Sequence, residues 1–132
     1  VAGTFVWYPQ PLGLETEWTF GRGPQFSENT RTIGLESLQG GYVQGHYREQ
    51  GRFGTWFPFS RWNYYDGARK FARNAPRSKV NEIDFGLEFS KWTEVEITAM
   101  FTHTFTRTRT GSFPYGQSTS GNRVGMQVQW NY

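Results

Sequence analysis

The fold class this sequence predicts is all-β: an antiparallel transmembrane β-barrel, with about seven strands in the chain. Three observations carry the prediction. The first is alternation at period two. In the last ten residues, Val124, Met126, Val128, Trp130 and Tyr132 fall on one face of a strand, while Arg123, Gly125, Gln127, Gln129 and Asn131 fall on the other. That length matches the roughly 9–11 residues a tilted strand needs to cross a bilayer. The second is composition: aromatics make up 19% of the chain and Gly numbers 16, while Leu, Ile and Val are sparse. A soluble domain would bury so many rings among aliphatic side chains, whereas a barrel with aromatic girdles and a polar interior needs few aliphatics. The third is punctuation, because connections read alternately short and long along the chain, as periplasmic turns and extracellular loops do.

Other function classes are narrowed by what the chain lacks. It has no cysteine, so neither a disulfide framework nor thiolate chemistry is available. No run approaches 18 apolar residues, which excludes a transmembrane helix and leaves a barrel open. The net charge of +3 gives no nucleic-acid reading by itself. The first residues show neither a basic nor an apolar leader region, so the expectation is a signal peptide removed or lying upstream. The 132 residues suffice for one domain, residues 1–132.

Val1 to Tyr8 reads as a short strand with Gly3, Phe5 and Trp7 on one side, ended by Pro9-Gln10-Pro11. The second strand sets Leu14, Thr16, Trp18 and Phe20 against Glu15, Glu17 and Thr19, and residues 21–31 follow as a polar loop. The third runs from Thr32 to Arg48, with a bulge expected around Gly40-Gly41. Glu49-Gln50-Gly51 turns the chain into a fourth strand from about Phe53 to Tyr65. Its facing stays open between a Trp56, Pro58, Ser60, Trp62, Tyr64 set and a Phe57, Phe59, Arg61, Asn63 set. Residues 66–79 read as a charged loop. The fifth strand opposes Ile83, Phe85, Leu87 and Phe89 to Glu82, Asp84, Gly86, Glu88 and Ser90. After a turn at Lys91-Trp92-Thr93, the sixth opposes Val95, Ile97, Ala99, Phe101, His103 and Phe105 to Glu94, Glu96 and a run of Thr. Residues 110–122 form the third long loop before the final strand. Trp7, Tyr8, Trp92, Trp130 and Tyr132 cluster at the short-turn end, where an interfacial belt belongs.

Seven strands leave the two chain ends on opposite sides, whereas single-chain bacterial barrels have an even number. An open edge in lipid would also strand backbone groups at several kcal/mol each. Either a strand is missed or, as we read it, the chain is the C-terminal part of a larger barrel.

Three blocks carry a family likeness: Gly40-Gly41-Tyr42-Val43-Gln44-Gly45-His46-Tyr47-Arg48, then Phe57-Pro58-Phe59-Ser60-Arg61-Trp62-Asn63-Tyr64-Tyr65-Asp66-Gly67, then Glu82 to Tyr132 with Phe85-Gly86-Leu87-Glu88-Phe89. In order and spacing they resemble the C-terminal half of the phosphate-selective porin O and P family, over most of residues 34–132. The resemblance implies an outer-membrane channel of roughly sixteen strands, commonly a homotrimer, that takes up anions such as phosphate through a basic lumen. It also implies a bacterial outer-membrane location, with lipid and lipopolysaccharide as neighbours.

The candidate pore-lining residues are Arg61, Glu82, Asp84, Glu88, Glu94, Glu96, Gln127 and Gln129. Together with Glu15 and Glu17 they make an acidic wall, unlike a basic lumen. Arg61 matches the family's basic position and is expected to pair with a wall carboxylate, which would set a transverse field across the pore. Arg69, Lys70, Arg73, Arg77 and Lys79 form a candidate extracellular basic rim, either a vestibule that concentrates anions or a solvated loop against lipopolysaccharide phosphates. Arg107, Arg109 and Arg123 flank the last loop. The wall carboxylates could select cations. A Ca²⁺ site from Glu82, Asp84 and Glu88 is not expected, since alternate residues on one strand lie almost 7 Å apart.

No enzyme, cofactor or metal is expected. His46 and His103 sit on different strands, no Ser has a nucleophile's context, and metal-ligand spacing is absent. The expected function is a porin passing small solutes by passive diffusion, with no nucleic-acid partner. The alternative is a soluble β-barrel or sandwich whose aromatics stack a carbohydrate or other ligand. A third reading is a small eight-stranded structural barrel with a filled interior.

Overall fold

The computed structural model describes residues 1–8, 11–27, 30–68, 76–92, 94–110 and 113–131. They form one antiparallel sheet of eight strands with no helix: β1 (Ala2–Trp7), β2 (Leu12–Ser27), β3 (Thr32–Tyr47), β4 (Glu49–Gly51), β5 (Gly54–Ala68), β6 (Arg77–Trp92), β7 (Val95–Thr110) and β8 (Phe113–Trp130). The order is a plain meander, β1-β2-β3-β5-β6-β7-β8, with β4 on β5, and no ladder joins β1 to β8 among the described residues. No helix among the described residues is long and apolar enough to cross a membrane, which says nothing about a barrel that crosses with strands.

β4 is short and continues β3. His46 pairs Phe59 and Glu49 pairs Trp56 in one unbroken register. The ladder lapses opposite Pro58, which has no N–H to give, while Pro58 still pairs Leu87 on its other side. With β4 counted as part of β3, seven strands remain. A two-residue turn, Arg52-Phe53, joins β4 to β5, and it ends at Gly54 with φ +145°, a backbone conformation that side chains disfavour.

Two expectations are corrected. The loops at 21–31, 66–79 and 110–122 are far shorter than expected, because strand pairing runs on through Ser27, through Ala68, from Arg77 and from Phe113. Phe20 to Ser27 pair Gln39 to Thr32, and Ser118 to Asn122 pair Arg107 to His103. Residues 69–75 lie outside the described residues, and elsewhere the long-short rhythm is mostly lost. The bulge expected at Gly40-Gly41 is absent too, since the β2–β3 register is continuous from Leu12↔Tyr47 to Ser27↔Thr32. Those glycines make room for rings. A Cβ on Gly41 would sit 2.6 Å from the Trp18 ring, which lies across it to stack on Tyr64 at 5.7 Å and 11°.

The burial pattern is inverted relative to a soluble domain. Ala68 is the one buried hydrophobic residue among those described, while the buried polar residues are Asp66, Ser78, Asp84, Thr102 and Thr106. Phe5, Trp62, Ile83, Phe85, Leu87, Phe101, Val124, Met126, Val128 and Trp130 are all exposed, and strand parity puts every one on the same face. Aromatics border that apolar belt at both ends. Trp56 meets Phe89 at 4.2 Å near the short turns, with Trp92 and Trp130 beside them; Trp18, Trp62 and Tyr64 cluster toward the other end, with centroids about 6 Å apart. The second border escapes a reading of the short-turn end alone.

Candidate pore wall

Register converts the polar positions of separate strands into rows across the sheet. One row runs Glu15–Gln44–Arg61–Asp84–Thr102–Arg123, and the next runs Glu17–Tyr42–Asn63–Glu82–Thr104. The facing of β5 is settled by this pairing: Phe57, Phe59, Arg61 and Asn63 share the polar face. It is the crowded side of the sheet, and its side chains meet across the strands.

Asp84 is the hub. Its Oδ2 accepts from Arg61 Nε at 2.9 Å and from Asn63 Nδ2 at 2.9 Å, and its Oδ1 accepts from Thr102 Oγ1 at 2.7 Å. Such a set of charge-assisted bonds is what a carboxylate needs if it is to be buried. Glu82 is held in the adjoining row by Thr104 Oγ1 at 2.6 Å and more loosely by Asn63 Nδ2 at 3.5 Å. The Tyr42 hydroxyl donates to Glu15.

Arg61 pairs with a wall carboxylate, as its context in the sequence implies, and its partner is Asp84. The burial of the two differs sharply. The Asp84 side chain is 1% exposed, whereas that of Arg61 is 33% exposed. Asp84 therefore presents no charge to solvent and acts instead to hold Arg61 by one nitrogen, leaving the rest of the guanidinium free to face outward from the wall. Phe59, two residues from Arg61 on the same face, sets its ring over Gly86, where a Cβ would lie 2.1 Å from the ring.

Glu88, Glu96, Gln127 and Gln129 of the expected wall share this face. Glu88 is half-buried and lines a recess with Gln44, His46, Phe57 and Phe59. Glu96 pairs Ser90 on one side and Gln129 on the other, and Gln127 pairs Thr98. Glu94 precedes β7 in a turn, where its carbonyl accepts the Asn131 N–H at 2.7 Å. Sequence reasoning missed Tyr42, Asn63, Thr102 and Thr104 as the groups that hold the carboxylates. Their parity was readable, but their partners depend on register.

The basic rim divides. Arg69, Lys70 and Arg73 lie outside the described residues. Arg77 and Lys79 stand on the opposite, outward face, which, of the two expected readings, favours the one against lipopolysaccharide phosphates over the vestibule. Arg77 Nε reaches Asp66 Oδ1 at 2.7 Å and its Nη1 reaches the Ser37 carbonyl at 3.1 Å, while Lys79 Nζ is 3.7 Å from Asp66 Oδ2. Their positions inside β6, one residue apart from the polar-face Ser78, set that direction.

The two histidines are separated by the sheet. His46 belongs to the polar face and His103 to the outward face, where its Nδ1 is 2.7 Å from Asn122 Oδ1. No group of three His, Cys, Asp or Glu among the described residues could hold a metal ion. No protein-family model, curated protein or solved structure matches the chain.

Proposed function

We propose that these strands are part of the wall of an outer-membrane porin, a water-filled barrel through which small solutes diffuse passively. The observation that carries this reading is the inverted burial: large apolar side chains exposed along one face, and polar or charged ones packed on the other. Water penalises the first arrangement and hydrocarbon favours it. From Trp92 to Ile83 the belt covers nine residue steps, about 30 Å of strand, and about 23 Å of height at a barrel's usual tilt of about 40°. An outer-membrane apolar band is about 25 Å tall.

The open edges of β1 and β8 complete the proposal. Unpaired backbone in lipid costs several kcal/mol per group, so the sheet closes with further strands, in a barrel of roughly sixteen as the family resemblance implies. The same resemblance supports a trimer in the bacterial outer membrane. Solute preference follows from the wall. Glu15, Glu17, Glu82, Glu88 and Glu96 face Arg61 and Arg123, and Asp84 offsets Arg61. That balance favours cationic and neutral solutes over phosphate.

The test is conductance of the full polypeptide in planar bilayers, with the reversal potential read across a salt gradient. Stepwise conductance with cation preference supports the proposal. Anion preference would keep the channel and overturn the solute class. Monodisperse protein in detergent-free buffer, with no conductance, would favour the soluble ligand-binding module instead.

A further inference from the structure

We propose that the outward side of β2, β6 and β7, toward the 69–76 connection, is a cationic collar that binds phosphate-bearing headgroups of the surrounding leaflet. The inference rests on the membrane barrel proposed above. Two independent observations point to it.

The first is position. On the outward face, the row Trp18–Gly41–Tyr64–Asn81–Phe105 closes the apolar belt. The next row is Phe20–Gln39–Asp66–Lys79–Arg107–Ser118. Lys79 and Arg107 thus stand about 7 Å along the strands beyond the rings that border hydrocarbon. Arg22 and Arg77 follow one row further on the same face. That is the level of lipid headgroups, where aromatic girdles give way to charge.

The second is charge balance. Lys79 and Arg107 are direct cross-strand partners, and like charges in that relation repel. Asp66 is the one carboxylate of the two rows among the described side chains, and it is buried and already engaged by Arg77 and Lys79. Arg107 is exposed, with its guanidinium 5.1 Å from the centre of the Phe105 ring, so it leans back along the wall toward the belt. Cations set side by side just beyond an apolar belt are stabilised by an anion that bridges them. A lipid phosphate arrives in that plane already oriented, with its acyl chains against the belt below.

The experiment uses the full polypeptide in phosphatidylcholine vesicles that carry trace spin-labelled phosphatidylglycerol or spin-labelled phosphatidylcholine. The wild-type protein is expected to hold the anionic label at its surface in preference to the zwitterionic one. The double variant Lys79→Gln/Arg107→Gln is expected to lose about fivefold or more of that preference. The charge-conserving pair Lys79→Arg/Arg107→Lys should keep it. Sodium chloride should weaken the wild-type preference, a readout independent of whether the variants fold. Insertion without any anionic preference overturns the collar and leaves the channel standing. Equal competition by millimolar inorganic phosphate would identify a soluble anion as the ligand and overturn the headgroup assignment. Failure to insert into vesicles at all overturns both.

Discussion

Asp84 and Phe85 are neighbours on β6, and their fates are reversed from those in a water-soluble protein. The carboxylate is fully buried, and the aromatic side chain is 57% exposed. One residue step turns a side chain from one face of the sheet to the other, so the difference belongs to the faces and not to the position along the chain. On the polar face, burial is sustained by hydrogen bonds from three partners on two neighbouring strands. On the outward face Phe85 pairs Ser60 and Phe101 in register, and its ring is left to whatever surrounds the sheet. The lesson is that this sheet is organised by polar contacts within and apolar contacts without.

The comparison breaks most decisively at Asp84. Asp84→Ala would leave the Arg61 charge without its partner and the buried Thr102 hydroxyl without its acceptor. The expected loss is about 3–5 kcal/mol, the usual cost of breaking a buried pair from one side. Urea unfolding of the protein folded in lipid vesicles would measure it. Asp84→Asn, which keeps an acceptor, should lose less. A loss below about 1 kcal/mol for the alanine variant would mean the hub contributes no more than an ordinary neutral hydrogen bond.

A second test sets the same charge on the two faces. Phe85→Arg should destabilise the vesicle-inserted protein by about 2–4 kcal/mol, as an arginine at lipid depth does. Gln127→Arg, on the exposed polar face, should change stability by less than about 0.5 kcal/mol. It should shift the reversal potential toward anions instead. Equal losses at both positions, measured by the same unfolding assay, would show that the faces do not differ in solvent.

How much of this was legible in the residues follows the same contrast. Where the two faces differ most in polarity, alternation is strong, and the middle of β6, β7 and the last third of β8 were readable, although β6 begins at Arg77, inside the residues read as a loop. Toward the other end of the sheet the contrast fades. Gly21–Ser27 and Phe113–Asn122 alternate weakly, so they resembled loops although they pair as regular strand. The length of β3 offered a hint, since a strand starting at Thr32 needs a partner along its whole edge. The facing of β5 was not legible because both of its sets mix rings with polar groups. Neighbouring strands decide it, through Arg61 opposite Asp84 and Asn63 opposite Glu82. The burial of Asp84 and the outward turn of Arg77 and Lys79 depend on the same register, which no local pattern encodes.

The smallest effects, and the finest version of the contrast, come from two glycines that each lie under an aromatic ring. Gly41 is on the outward face beneath Trp18, and Gly86 is on the polar face beneath Phe59. At Gly41 a methyl group would meet the Glu17 backbone oxygen at 2.2 Å as well as the Trp18 ring, so the strands themselves have to part. Gly41→Ala is expected to cost about 1–3 kcal/mol, as overpacking does, and to weaken the Trp18–Tyr64 stack seen by tryptophan fluorescence. At Gly86 the three nearest atoms all belong to the Phe59 ring, which is free to swing away from the wall without moving backbone. Gly86→Ala should therefore cost less than about 1 kcal/mol, and in the proposed channel the displaced ring should reduce single-channel conductance. If the two substitutions cost the same and conductance is unchanged, the ring over Gly86 does not border a lumen, and the polar face is a packed layer that solutes never reach.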